Sequence, residues 1–140
     1  MKTIVVESHT DFIVMKTLFP QMRENDVTIR IAQGFSNVFA VAKTLIDYGV
    51  EVLAVLDTDT RIPGNDNRVI MKRIQESGLA GRTINIVWMD SCIEDVLCKT
   101  NAEMFSRKAR GINLKQAVLD NKEALLKLDE FKQIQEFIVG

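Results

Sequence analysis

Two cysteines and one histidine are all the thiol and imidazole metal ligands that 140 residues contain. Cys92, Cys98 and His9 are too few for a Cys/His zinc site or a disulfide framework, and the thiols read as reduced, buried side chains. An excess of either charge is also missing. With 18 basic and 19 acidic side chains the net charge is −1, so affinity for nucleic acid would need a local basic patch or bound cations. No uncharged stretch reaches the ~20 residues of a bilayer crossing, and "MKTIVVES" meets an acid after a very short apolar run, so a cytoplasmic location is expected. Repeats, low-complexity tracts, long linkers and a G-x-x-x-x-G-K phosphate loop are absent as well. What is present is the balance of a globular chain, 46% hydrophobic and 26% charged, of a length that suits one domain.

Four segments rich in β-branched residues read as strands: "TIVV" (3 to 6), "VTIRIA" (27 to 32), "VEVLAVL" (50 to 56) and "TINIVW" (83 to 88). Helical spacing lies between them. Phe12, Met15, Leu18 and Phe19 mark one helix, Val38, Val41, Ala42 and Leu45 a second, and Val69, Ile70, Arg73 and Ile74 a third. Alternating strands and helices predict an α/β fold, Rossmann-like, with a parallel sheet of four strands and helices on both faces. Gly49 stands where a helix C-cap releases the chain into the third strand. From "SCIEDVL" onward the pattern is helical, and Leu125, Leu128, Phe131, Ile134 and Ile138 predict an apolar stripe on one last helix. The expected organisation is a single domain, with a core over roughly 3 to 90 and a helical extension over 91 to 140.

The chemistry concentrates where strands end. Glu7 closes the first strand and Asp57 the third, and Asp59 follows Asp57 by two residues, so continued extended backbone would send both aspartates to one side. Carboxyl ends of parallel strands share one edge of the sheet, the usual ligand crevice of open α/β folds. Uncompensated acids meeting there raise one another's pKa, whereas a divalent cation makes the cluster favourable. Oxygen ligands without nearby nitrogen or sulfur suit Mg²⁺ or Mn²⁺, with coordination positions left for phosphate oxygens. The alternative reading of both aspartates is turn formation before "RIPGNDN".

A glutamate ending the first strand in "IVVESHTD", a glycine-centred turn after the second in "AQGFSN" and an Asp-x-Asp ending the third in "VLAVLDTDT" together resemble the Toprim domain. The flavour is closest to the Toprim part of OLD-family nucleases, whose Ile-Glu-Asp/Asn-aromatic-Leu type segment is similar to "CIEDVL" here. The resemblance implies metal-dependent cleavage or transfer at a phosphodiester, DNA before RNA, with Glu7, Asp57 and Asp59 as catalytic metal ligands and Glu94 as a further one. Glu7 as general acid or base is equally compatible with it. Asp11 is placed behind these ligands or in a capping box with Ser8, Gly34 in the turn, and Ser36 at a helix start that caps or meets phosphate. Ser8 stands where many Toprim members have glycine.

The large ATPase portion of full-length OLD proteins is not in this sequence, so the expectation is a minimal, stand-alone Toprim domain or one that works with a separate ATPase. Monomer and homodimer are both open. Lys99, Arg107, Lys108, Arg110 and Lys115 against Glu103 make 99 to 115 locally basic, a candidate for phosphate-backbone contact, with Phe105 the one aromatic there. Tyr48, the single tyrosine, falls late in a helix at the wrong edge for topoisomerase chemistry. Two rival functions remain: a non-catalytic Toprim-like binding or regulatory module, and a receiver-like phosphoacceptor with Asp57 as the phosphorylated residue.

Overall fold

The computed structural model describes residues 1–57, 84–89, 93–101, 105 and 113–140. In chain order these form β1 (Lys2–Val6), α1 (His9–Leu18), a 3-10 turn (Pro20–Met22), β2 (Val27–Ile31), α2 (Phe35–Asp47), β3 (Glu51–Asp57) and β4 (Asn85–Met89). Four further helices follow: α3 (Ile93–Asn101), α4 (Leu114–Asp120), α5 (Lys122–Leu125) and α6 (Asp129–Val139). The four strands are all parallel, in the order β2-β1-β3-β4. Each expected strand is found within two residues of its predicted ends. The helix expected around Val69 to Ile74 lies outside the described residues.

Side chains alternate across the sheet and build two cores, as period two requires. Ile4, Val6, Leu53, Val55, Val87 and Met89 face α1 and the C-terminal helices. Val5, Val52, Ala54 and Leu56 face Val38, Phe39 and Ala42 of α2. The helices sit on opposite faces because the chain steps outward from β1 to β2 and then returns over β1 to reach β3, and crossovers of one hand place these two helices on opposite sides.

Local chemistry fixes the helix ends. Ser8 is the N-cap of α1 in a capping box: its hydroxyl accepts from the Asp11 N–H at 3.5 Å, while Asp11 Oδ2 accepts from the Ser8 N–H at 2.9 Å. At the end of α2 the Gly49 N–H donates to Ile46 O and the Val50 N–H to Leu45 O, with Gly49 at φ +80. That is a Schellman ending, which needs left-handed backbone and so favours glycine.

The C-terminal helices share the α1-side core, where Ala117, Val118, Leu125, Phe131, Ile134 and Ile138 are all buried. One expectation is corrected here. The apolar stripe from Leu125 to Ile138 is not one helix: Leu125 ends α5, and Leu128 is the extended N-cap of α6, with φ −72 and ψ 142. Asp129 and Glu130 then occupy the first turn of α6, where the helix dipole favours acids. Apolar spacing alone cannot register such a break, because both pieces bury their residues in the same core. Lys2 Nζ ties the far end down by donating to Phe137 O at 2.7 Å. Among the described residues no helix is long and apolar enough to cross a membrane.

Candidate functional site

Strand order decides where a site can form. The chain runs from β1 outward to β2 and then back over β1 to β3 on its other side, so the crevice outside the carboxyl ends of β1 and β3 is the topological switch point of this sheet. Glu7 follows β1 and Asp57 ends β3 at that crevice. Both are half-buried, and Glu7 Oε2 accepts a hydrogen bond from the Asp57 N–H at 2.8 Å, bridging 50 positions of sequence.

The third wall is the β2–α2 turn. Its Gly34 N–H donates to the Glu7 main-chain oxygen at 3.1 Å, so Glu7 anchors the turn by its backbone and β3 by its side chain. Gln33 at φ 61 and Gly34 at φ 122 and ψ 156 reverse the chain. A β-carbon on Gly34 would meet nothing within 4 Å; the glycine is required by its backbone angles, which lie in a region other residues scarcely enter. Nothing in the sequence marks Gln33 for positive φ except the glycine beside it.

The fourth wall comes from the starts of α1 and α3. Glu7, Ser8, Asp11, Gly34, Asp57 and Glu94 all line one open cleft of ≈ 640 Å³, together with His9, Ile31, Gln33 and Ile93. Among the described residues, four carboxylates thus stand around a space with one histidine, and His9 is exposed and stacked on Phe12 at 5.9 Å between ring centroids.

Asp11 is the acid whose state the fold perturbs. It is 3% exposed. Burial pushes its carboxyl above the usual carboxylate range, hydrogen bonds from the Ser8 hydroxyl and N–H pull it partly back, and the charge of Glu94 raises it further. Both Ser8 bonds go to Oδ2, at 2.8 and 2.9 Å. Among the described residues Oδ1 has no hydrogen-bond partner, though it is buried, a costly condition for a carboxylate. The Ser8-x-x-Asp11 spacing made the capping legible, but not the burial or the bare oxygen.

The other expected site residues divide. Asp59 lies outside the described residues, as do Arg107, Lys108 and Arg110. Ser36 is in the first turn of α2, and its side chain is outside what the structure describes. Lys99 stands 3.6 Å from Glu130 Oε1, an ion pair between α3 and α6. Phe105 is buried in the core rather than presented for stacking. Tyr48 is exposed at the C-cap of α2, on the opposite edge of the sheet from the cleft. Among the described residues, no group of three or more His, Cys, Asp or Glu is arranged to hold a metal ion. No protein-family model matches the chain, and no curated protein or solved structure matches it.

Proposed function

We propose that the cleft at the β1/β3 switch point binds a divalent cation of the Mg²⁺ or Mn²⁺ class and serves Toprim-like cleavage of a nucleic-acid phosphodiester. The observation that carries this reading is the contact between Glu7 and Asp57. Two acids far apart in sequence are brought to one point at the edge where α/β sheets place their ligands.

Two features of the donor set fit a hard cation. Among the described residues that line it, the cleft offers carboxylate oxygens with no sulfur and one exposed histidine. Asp11 adds a buried oxygen without a partner, in a cleft already crowded with negative charge. Asp57 and Glu7 would be the primary ligands, with Asp59 next along the chain and Glu94 facing them from α3. When bound, the cation would polarise the phosphodiester and lower the pKa of an attacking water. Within the chain, Glu7 holds the third strand's end in place, Ser8 aligns Asp11, and Gly34 lets the β2–α2 turn approach Glu7.

A second reading has its own observation. Glu7 already accepts the Asp57 N–H, so its carboxylate has a structural duty, and a non-catalytic binding or regulatory module would use it in the same way. Nicking of supercoiled plasmid with Mg²⁺ or Mn²⁺, abolished in Asp57→Asn while the fold persists, is the result expected of the nuclease. A chain that gains thermal stability with Mn²⁺ yet cuts neither DNA nor RNA would favour the module. Absence of any Mn²⁺-dependent gain in stability would remove the cation site itself.

A further inference from the structure

A different surface of the molecule has main chain to offer. β2 is an edge strand, and among the described residues nothing pairs with its outer side. The Lys2 N–H donates to Asp26 O and the Ala32 N–H to Val6 O, so the even-numbered residues around β2 direct their backbone groups inward to β1. By alternation, Val27, Ile29 and Ile31 turn their N–H and C=O groups outward. Thr28 and Arg30 are exposed along the same strand.

Beside this edge, on the α1 side of the sheet, lies a groove of ≈ 470 Å³. Phe12, Met22 and Ile29 line its apolar part, and Lys16 and Arg23 are the cations lining it. Both are exposed, as is Arg30 on the opposite face of the strand. Lys16 lies over the Phe12 ring at 5.9 Å. Among the described residues the acid lining the groove is Asp26, which stands 3.8 Å from the N-terminal ammonium, and Glu24 is exposed on the adjoining turn.

We infer that the β2 edge takes up an extended segment of another protein as a fifth strand, one in which apolar residues alternate with acidic ones. Outward main-chain groups would supply the ladder, the groove would take the apolar side chains from one face of the added strand, and Arg30 on the opposite face would select the acids of the other. Charge argues against a second copy as the occupant. Antiparallel pairing of β2 with itself about a twofold axis would bring Lys16, Arg23 and Arg30 toward their own equivalents. This inference does not depend on the proposed nuclease activity.

The probe is a fluorescein-labelled heptapeptide alternating acidic residues with valine, compared with the same peptide carrying lysine in place of each acid. Anisotropy at low salt should show binding of the acidic peptide, with the lysine peptide weaker by about tenfold or more. Amide hydrogen exchange should slow at Val27, Ile29 and Ile31. The variant Arg30→Glu, which alters an exposed side chain only, should weaken the acidic peptide by about tenfold. Ile29→Pro removes one outward N–H and should weaken it as well; if that variant fails to fold, the charge reversal and the exchange data still decide. Equal binding of both peptides, no binding up to about 1 mM, or binding that leaves the three amides unprotected would overturn the inference. So would a DNA duplex that outcompetes the acidic peptide for these amides, since it would assign the edge to nucleic acid.

Discussion

Replacing Asp11 by asparagine tests the physical character of the cleft most directly. The wild-type side chain is 3% exposed, with Oδ2 held by Ser8 and Oδ1 bare. Burial first, and Glu94 last, hold its carboxyl above the ordinary value of 3.8, against the opposing Ser8 bonds. The native state therefore keeps a proton at pH values where the unfolded chain has already lost it. Stability from this group is fully present below 3.8 and is lost as pH rises through the higher native midpoint. Asparagine keeps an oxygen for Ser8 and carries no charge, so the variant should lack this decline. Either side chain leaves one buried polar atom unpaired at a cost of about 1–3 kcal/mol, and the cost is greater for a charged group than for a neutral amide. Because the Ser8 bonds favour the charged form, we expect the lower half of that range, or roughly 3–8 °C in Tm for a chain of this size. The assay is thermal and urea unfolding of both proteins in EDTA from pH 3.5 to 7.5. The gap between variant and wild type should open in favour of asparagine as pH rises. Parallel pH profiles, or a gap that closes with rising pH, would refute the reasoning.

Other substitutions probe separate parts of the structure. Glu7→Gln keeps an acceptor for the Asp57 N–H and should leave stability within about 1 kcal/mol, whereas Glu7→Ala strands that half-buried donor and should cost about 1–2 kcal/mol more in urea unfolding. Metal-dependent cleavage, if present, should be lost in both. Gly34→Ala has room for its β-carbon but not the backbone angles, so a loss of about 1–3 kcal/mol is expected without any clash, and a crystal structure should show the β2–α2 turn shifted. Phe131→Ala empties a fully buried site in the core that α6 shares with the sheet and should cost about 3–5 kcal/mol in a single cooperative transition; a separate early transition would mean that the C-terminal helices unfold on their own.

Much of the architecture was legible because it is local. Val5 against Ile4 and Val6, or Ala54 against Leu53 and Val55, carries apolar side chains on both faces, and such runs belong in a sheet covered on two sides. Ser8 and Asp11 announced a helix start, and Gly49 a helix end, through chemistry spanning a few residues. The same locality hides the break before the last helix. Leu125 and Phe131 keep helical spacing across Leu128, and only the extended backbone at Leu128 reveals that the stripe belongs to two helices.

Sequence by itself determined the alternation of strands and helices, the acids at strand ends and the poverty of zinc ligands. Those follow from side-chain periodicity and residue type, which are written along the chain. Tertiary structure alone decided that β1 and β3 are neighbours, so that Glu7 meets the backbone of Asp57, and that Asp11 is sealed from water with one oxygen bare. It also left β2 at the edge, with its outward amides beside a cationic groove. Strand order and burial arise from packing between segments tens of residues apart, and no local pattern specifies them.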